Sequence, residues 1–294
     1  MNLVISGTGD FFEGAPVTKL LDTARSYQIN RVDLWFPKNT RVEGLDRSVE
    51  QIHEAGIRVV CVSTWTHLYW PGDVAAQQGL LIEGIELAHR LGASLANTYF
   101  GHGPARDDDL AIATYVENLQ PCLERAAALD VTICLENEFD VLGDDPQASD
   151  VTRRPVCIRE LVERVDSPHF RATFDACNFY FAGVEPYPYA YEVLRDVIGY
   201  VHLKDGARYV PSRHDDQMLR FTDHSGAYVC LPVGQGAINY QGLLAELASD
   251  GYNDFYALEP HVEPERMAET YEQTLAYLQA IDETRNTEYE ARNA

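Results

Sequence analysis

The sequence predicts an α/β fold, a single (β/α)8 (TIM) barrel over residues 1–282 followed by a polar tail over 283–294. Short apolar segments of strand length alternate eight times with segments of helical periodicity, which indicates a parallel sheet. No change of composition divides the chain, and eight such units within 294 residues favour a closed barrel over an open sheet. An open nucleotide-binding sheet usually has a glycine-rich turn after its first strand, and Gly7-Thr8-Gly9 lacks the third glycine of that turn.

The first half of the chain supplies four strand–helix units. The strands are predicted at residues 3–6, 31–36, 56–63 and 93–100, and the helices at 18–27, 48–55, 75–91 and 108–130. The last of these helices begins with Asp108 and Asp109, whose negative charges suit the positive N-terminal end of a helix.

The second half repeats the pattern with one longer connection. The strands are predicted at residues 131–135, 170–174, 197–201 and 255–258, and the helices at 156–165, 190–196, 240–249 and 263–281. The seventh strand and the seventh helix are separated by more residues than a simple loop requires, so this loop is expected to be extended. Gly234-Gln235-Gly236 is predicted as a turn at its end, because no Lys or Ser/Thr follows in phosphate-loop spacing. The tail is expected to fray.

Composition excludes several classes of function. The chain has 46 acidic and 23 basic residues and a net charge of −23, so a nucleic-acid partner is disfavoured. The six cysteines are scattered without a CxxC pair, which indicates reduced core residues in a cytoplasmic protein. Neither a signal peptide nor a membrane span is expected, because the N-terminus has no basic segment and the apolar runs are short.

Each strand of the second half ends at a residue that can bind a metal. Glu136, Asp175, His202 and Glu259 come at the predicted ends of strands five to eight. Because the carboxyl ends of barrel strands meet at one face, these side chains are expected to converge. Three carboxylates and one imidazole form the oxygen-rich ligand set that a hard divalent ion prefers. The alternatives are a helix N-cap for Asp175, a satisfied strand-end histidine for His202, and a structural salt bridge inside the barrel mouth for Glu136 and Glu259.

Five short segments carry a resemblance to a known family. They are Leu135-Glu136, Phe174-Asp175-Ala176-Cys177-Asn178, Val201-His202-Leu203-Lys204-Asp205, Val233-Gly234-Gln235-Gly236-Ala237-Ile238 and Ala257-Leu258-Glu259. In this order they resemble the sugar phosphate isomerase/epimerase barrels of the xylose-isomerase-like superfamily. Ketose 3-epimerases, hydroxypyruvate isomerases, inosose dehydratases and endonuclease-IV-type repair enzymes belong to it. The resemblance covers nearly the whole chain.

The resemblance implies one divalent ion held by Glu136, Asp175, His202 and Glu259. Mn²⁺ is the first choice, Mg²⁺ or Co²⁺ are alternatives, and Zn²⁺ ranks below them. Arg208 matches an arginine that helps to hold substrate in the epimerases. Many members have a histidine against the substrate three residues after the aspartate, where this chain has Asn178. Asparagine donates a hydrogen bond but cannot act as an acid near neutral pH, so the substrate and the epimerase reaction are left open.

The ligand set favours proton transfer beside a sugar carbonyl. Removing that proton requires a base in reach and a cation that stabilises the enediolate oxygen. Glu136 and Glu259 are predicted as the acid–base pair, because they should approach the ion from different sides. An isomerase or epimerase is the first choice. The alternative is a lyase or dehydratase acting on a sugar, cyclitol or glycoside through the same site.

Other side chains are candidates for substrate contacts. Trp35 and Trp65 are predicted to stack on a sugar ring, with core or interface packing an equal alternative. His102 lies between two glycines after the fourth strand and is a candidate contact for a substrate hydroxyl. Glu138 is a candidate for metal or substrate binding, and a paired loop acid is an equal alternative.

Two further classes stay open. An endonuclease-IV-type enzyme would use three zinc ions and more histidine ligands, and the negative charge and Asn178 count against it. A barrel that keeps its metal for structure could instead be a partner subunit. The expected partner is a small sugar or polyol, and the protein is expected to be a homo-oligomer, a dimer or tetramer, with the Tyr69-Trp70 loop as a candidate contact.

Overall fold

Eight parallel strands close into a barrel in the computed structural model, which describes residues 1–9, 15–69, 72–101, 103–104, 107–139, 148–223 and 226–293. The barrel strands are β1 (Asn2–Ser6), β2 (Arg31–Phe36), β3 (Arg58–His67), β4 (Leu95–Tyr99), β6 (Thr132–Glu136), β8 (Phe170–Asp175), β9 (Ile198–Leu203) and β13 (Phe255–Leu258). They follow one another around the barrel in chain order, and β13 pairs with β1 to close it. The predicted fold class is confirmed.

Helices follow the strands around the barrel. They are α1 (Val17–Ser26), α2 (Leu45–Ala55), α3 (Val74–Leu91), α4 (Asp108–Leu129), α5 (Pro155–Val165), α6 (Ala176–Phe181), α7 (Tyr191–Leu194), α8 (Tyr240–Ser249) and α9 (Met267–Asn293). The side chain of Asp73 caps α3 by accepting a hydrogen bond from the Ala75 N–H at 2.9 Å. Apolar periodicity and such caps place the predicted starts within about four residues of the observed ones. The six-residue helix α6 was not predicted.

The last helix is longer than the sequence suggested. α9 continues to Asn293, past the boundary predicted at residue 282, where a frayed tail was expected. The segment is polar but contains Glu, Arg and Ala, which have favourable helix propensities. Polarity alone therefore does not end this helix.

The extended connection after β9 contains a three-stranded antiparallel sheet that was not predicted. It consists of β10 (Asp205–Arg208), β12 (Gly226–Leu231) and β11 (Phe221–Asp223), in that order across the sheet. A second small sheet pairs β5 (Gly103–Pro104) with β7 (Ala148–Ser149). Most of these strands are very short or contain glycine and polar residues, so they lack the apolar run by which the barrel strands were recognised.

The carboxylate of Asp205 fixes the turn that follows this small sheet. It accepts hydrogen bonds from the backbone N–H groups of Gly206, Gly234 and Gly236 at 2.8, 2.9 and 3.0 Å. A Cβ atom at residue 236 would lie 2.0 Å from Asp205 Oδ1, so this close approach requires glycine. The turn predicted here is confirmed, and it wraps around a buried carboxylate.

The barrel interior changes from apolar to polar along the strands. Val4, Leu95, Tyr200 and Ala257 pack with cysteines toward the N-terminal ends of the strands. A larger apolar layer fills the space between the strands and the helices. All six cysteines are buried and unpaired, as expected for reduced core residues. No described helix combines the length and the apolar character that crossing a membrane requires.

Replacing Gly236 with alanine should destabilise the protein by about 1–3 kcal/mol, because the new methyl group would displace the Asp205 carboxylate. Gly79 of α3 is the matched control, since a Cβ atom there meets no atom within 4 Å. Gly79→Ala should be neutral or stabilising by up to about 1 kcal/mol. Urea unfolding measures both variants. Equal stability of Gly236→Ala and wild type would contradict the role given to this turn.

Candidate metal centre and pocket

The four residues predicted at the strand ends come together at one face of the barrel. Glu136 ends β6, Asp175 ends β8, His202 lies one residue before the end of β9, and Glu259 directly follows β13. One ligand atom of each residue lies within 4.8 Å of those of the other three, and all four side chains are buried. Ligands on opposite sides of an ion, each about 2.0–2.4 Å from it, are themselves about 4–5 Å apart. The spacing therefore fits one metal ion.

His202 lies between the two glutamates. Its Nδ1 atom is 3.0 Å from Glu136 Oε1 and 3.2 Å from Glu259 Oε2. Burial alone would lower the pKa of His202, but the negative charges of Glu136 and Glu259 raise it well above its ordinary value. In the metal-free protein the imidazole therefore carries a proton between the two glutamates, where a metal ion would otherwise provide the positive charge.

Polar side chains on or next to the barrel strands orient the carboxylates of Glu136 and Glu259. The Asn97 amide donates a hydrogen bond to Glu136 Oε2 at 2.9 Å, and Thr173 donates to the Asn97 amide oxygen at 2.6 Å. The hydroxyl of Thr8 donates to Glu259 Oε1, and it is itself 2.6 Å from the Ser6 hydroxyl. These partners lie on strands β1, β4 and β8 or directly after β1, so the barrel itself fixes the glutamate rotamers.

Asp175 is held by the start of α6 and by its neighbour across the sheet. Its Oδ1 atom caps α6 by accepting a hydrogen bond from the Asn178 N–H at 2.9 Å. The side chain of Asn137 accepts from the Asp175 N–H at 2.8 Å and donates to the Asp175 carbonyl at 2.9 Å. The cap leaves Oδ2 directed at the cluster, where it lies 2.9 Å from the Lys204 ammonium. The Asp175 side chain thus acts both as a helix cap and as a member of the cluster.

Lys204 balances part of the negative charge. Its ammonium lies 2.9 Å from Asp175 Oδ2 and 3.0 Å from Glu259 Oε2, and the side chain is almost fully buried. Burial would raise the pKa of Glu259, but the charges of Lys204 and His202 hold it well below its ordinary value. With a neutral imidazole, three carboxylates and one ammonium leave a net charge of about −2. One divalent cation would neutralise this charge, so the donor set fits such an ion.

A pocket opens above the cluster, with a volume of about 760 Å³ that includes its solvent-filled mouth. The described residues that line it are Thr8, Trp35, Lys38, Trp65, Tyr99, Glu136, Glu138, Phe139, Asn178, Lys204, Phe221, Glu259 and His261. Five of them are aromatic and form an apolar wall opposite the charged floor.

Three of the residues predicted to contact substrate lie in this pocket. Trp35 is buried with the Lys38 ammonium 3.6 Å above its ring, and Trp65 is 38% exposed and packs on Tyr99 with ring centroids 4.6 Å apart. The Asn178 amide nitrogen donates to the Asn137 carbonyl at 2.8 Å. The amide oxygen of Asn178 is buried and has no hydrogen-bond partner among the described residues.

Another predicted residue does not line the pocket. Arg208 is exposed on β10, where it lies against Gly226, because the antiparallel sheet carries it away from the four strand-end residues. The prediction that it contacts substrate is therefore not supported by its position. His102 lies outside the described residues.

Several pocket residues were not singled out from the sequence. Lys204 stood inside a recognised segment, and its position two residues after His202 places it on the same side of the extended backbone. That spacing was a usable signal. Tyr99, Phe139 and Phe221 gave none, because an aromatic residue near a strand end is equally typical of the core.

Comparisons with known proteins agree with this architecture. The family model described as xylose isomerase-like TIM barrel matches residues 21–281. Similar solved structures include the IolI protein with a bound zinc atom (TM-score 0.73, 16% identity, covering 96% of this chain and 98% of that chain). Another is the probable 3-DHS dehydratase AsbF from Bacillus anthracis (0.70, 15%, 94% and 99%), and a third is the 3-keto-D-glucoside 4-epimerase YcjR from E. coli (0.70, 16%, 95% and 99%).

A search of curated protein sequences found no match. At 15–16% identity the solved structures establish a shared fold alone. The family match spans most of the chain, and it agrees with the closed barrel and with the segments that carried the resemblance. The chain therefore belongs to the xylose isomerase-like TIM barrel family.

Proposed function

We propose that this protein is a divalent-metal-dependent isomerase or epimerase that moves a proton beside the carbonyl of a sugar or related polyol. The observation that carries the proposal is the position of two glutamates of the four-residue cluster. Glu136 and Glu259 line the pocket, whereas Asp175 and His202 are not among its lining residues. Two carboxylates thus face a bound molecule, and the other two members of the cluster serve to hold the ion.

The proposed ligands are Glu136, Asp175, His202 and Glu259, and Mn²⁺ is the proposed ion because the set is rich in oxygen. When bound, the ion would supply positive charge to an oxygen atom of the substrate that becomes negative as the proton leaves. The names of several fold neighbours, among them L-ribulose 3-epimerase, are consistent with this reaction class.

The chain's own residues give the two glutamates different surroundings. The ammonium of Lys204 opposes the effect of burial and holds the pKa of Glu259 low, which favours the ionised form that accepts a proton. Glu136 is oriented by Asn97 through one oxygen, and its other oxygen lies 3.4 Å from the Asn178 amide nitrogen. We propose that Glu259 removes the proton from one face of the substrate and that Glu136, entering the step in its protonated form, delivers its proton to the other face. The step leaves Glu259 protonated and Glu136 ionised.

The pocket wall favours an uncharged substrate. Trp35, Trp65, Tyr99, Phe139 and Phe221 present apolar surface of the kind on which the C–H face of a sugar ring stacks. The floor carries Glu136, Glu138 and Glu259, and the ammonium of Lys204 is already 3.0 Å from Glu259. Because one bound divalent ion would neutralise the charge of the floor, the apolar wall is the feature that favours an uncharged substrate, and free ketoses and then cyclitols and glycosides are the first compounds to test.

One observation favours a dehydratase as the second candidate. Glu138 lines the pocket, and burial together with the nearby charge of Glu136 raises its pKa well above its ordinary value. A neutral carboxyl group at this position is an acid that could protonate a leaving hydroxyl. Water would then be lost after the same proton removal.

Metal binding is the first prediction. Purified protein should contain about one divalent ion per chain, and a chelator should lower the melting temperature by several degrees because the ion binds the folded state alone. Adding back Mn²⁺ should restore it. Asp175→Asn is the control, since it removes one charged ligand while its amide oxygen can still cap α6. A wild-type melting temperature that is insensitive to chelator and to every ion would contradict the metal site.

Solvent hydrogen exchange tests the two glutamates. Glu136→Gln and Glu259→Gln should each lower turnover about 10²–10⁴-fold, because each lacks one acid–base group. In deuterium oxide, each variant should still exchange the proton of one epimer without inverting it, and the two variants should act on opposite epimers. Glu124→Gln, an exposed residue of α4, is the control and should behave as wild type. Exchange from the same epimer in both variants would refute the two-base assignment.

Glu138→Gln separates the two candidate reactions. If the protein is a dehydratase, this variant should still exchange the substrate proton with solvent but should lose most of its water elimination, since the acid for the leaving hydroxyl is gone. If it is an isomerase or epimerase, no elimination product should form with any variant. Product analysis by NMR of the reaction in deuterium oxide measures both.

A further inference from the structure

His202 differs from the other three residues of the cluster in its surroundings. The carboxylates of Glu136, Glu259 and Asp175 each accept a hydrogen bond, from the Asn97 amide, the Thr8 hydroxyl and the Asn178 N–H, respectively. His202 has only the two glutamates, both on its Nδ1 side, and its Nε2 atom has no hydrogen-bond partner among the described residues although it is fully buried. A buried polar atom of this kind requires a partner.

Nδ1 of His202 is the nitrogen that faces the cluster. An ion bound to Nδ1 would leave the ring proton on Nε2. Nε2 would then be an N–H donor in a site without solvent contact. Histidines that bind metals usually donate this proton to a carboxylate, a carbonyl or a water, which fixes the ring orientation.

A buried carboxylate lies in the layer of the barrel below. Asp33 of β2 is fully buried, and both of its observed hydrogen bonds go to one oxygen: Ser63 donates to Oδ2 at 2.9 Å and Tyr200 donates to it at 3.2 Å. The other oxygen, Oδ1, has no hydrogen-bond partner among the described residues. Asp33 Oδ1 is therefore a hydrogen-bond acceptor without a donor, and the nearby His202 Nε2 is a donor without an acceptor.

Two observations place Asp33 and His202 close together. Tyr200, which binds Asp33 through its hydroxyl, has its ring centroid 5.0 Å from that of His202. Burial raises the pKa of Asp33 to about 6, and the charge of His202 opposes that rise, as expected for near neighbours. No direct hydrogen bond joins the two side chains, both of which the structure describes, and a single buried water could bridge them.

We infer that Asp33 is a positioning residue for the metal site. One buried water accepts a hydrogen bond from the Nε2–H of His202 and donates a hydrogen bond to the Asp33 carboxylate. Asp33 does not touch the ion or the substrate. It holds the imidazole ring with Nδ1 toward the cluster and makes that nitrogen a better ligand. The inference rests on the metal site of the proposed function.

The test compares Asp33→Asn with Ser63→Ala. The first keeps the shape of the side chain but removes its charge, and the second removes only a hydrogen bond to the opposite oxygen, Oδ2. Affinities for Mn²⁺ and Zn²⁺, measured by competition with a chelating dye, should fall about 10–100-fold in Asp33→Asn and less than about threefold in Ser63→Ala. The melting temperature of metal-free Asp33→Asn should equal or exceed that of wild type, because a buried charge is lost.

Nitrogen-15 NMR of histidine-labelled protein gives an independent readout. With Zn²⁺ bound, His202 of wild type should show a slowly exchanging proton on Nε2, and Asp33→Asn should lose that protection. Unchanged affinity in Asp33→Asn would overturn the inference, as would an affinity loss matched by an equal loss of metal-free stability, which would indicate a structural role.

Failure of the two proposals can be told apart. Wild-type protein that binds neither ion would overturn the metal site and this inference together. Wild-type protein that binds an ion while Asp33→Asn binds it equally well would overturn the role of Asp33 alone. If Asp33→Asn does not fold, the wild-type NMR spectrum decides, since absence of the protected Nε2 proton would refute the inference.

Discussion

The burial of three carboxylates at one end of the barrel is the constraint on which the rest of the site depends. Glu136, Asp175 and Glu259 are almost fully excluded from water, and removing an ion from water costs several kcal/mol. The chain offsets part of this cost with the ammonium of Lys204 and with the imidazole of His202, both of which contact the carboxylates. A net negative charge remains, and a divalent cation is the species that would balance it.

The barrel geometry makes this arrangement achievable. Parallel strands end together, so residues that are 39, 27 and 57 positions apart in the chain meet without any long loop being ordered around them. The polar partners also come from barrel strands. Asn97 and Thr173 support Glu136, and Tyr200 lies between Asp33 and His202. Rigid strands therefore fix both the cluster and the side chains that orient it.

The pocket divides the cluster by function. The two glutamates face the space where a substrate would bind, and an aromatic wall closes that space on the other side. Within one site, the electrostatic environment separates the carboxyl groups: the pKa of Glu259 is held low by neighbouring positive charge, and that of Glu138 is raised by burial and by Glu136. Such separation of pKa values is how one pocket can contain both a base and an acid.

The antiparallel sheet after β9 is an addition to the simple barrel. It is anchored by Asp205, three residues after His202, whose carboxylate binds the glycine-containing turn at the far end of the connection. Phe221 of this sheet reaches the pocket wall. The extended connection after β9 therefore contributes a side chain to the pocket.

The sequence by itself determined the barrel, the strand ends and the four residues of the cluster. These features depend on local patterns, namely apolar runs of strand length, helical periodicity and an acid or histidine directly after a strand. The resemblance to the xylose isomerase-like barrels depended on the same short segments and was confirmed. The small sheets and α6 were not found, because most of those strands lack the apolar run that marks the barrel strands, and α6 has fewer than two helical turns.

Only the tertiary structure decided which side chains share the pocket and which support the cluster. Lys204 directly follows β9 and Asp33 lies within β2, and the residues of other strands that each one contacts depend on the closed barrel. Arg208 followed the family spacing, yet the antiparallel sheet moves it to the surface. Contacts between distant segments depend on how strands are ordered and staggered around the barrel, and a single sequence carries that information only through the complete fold.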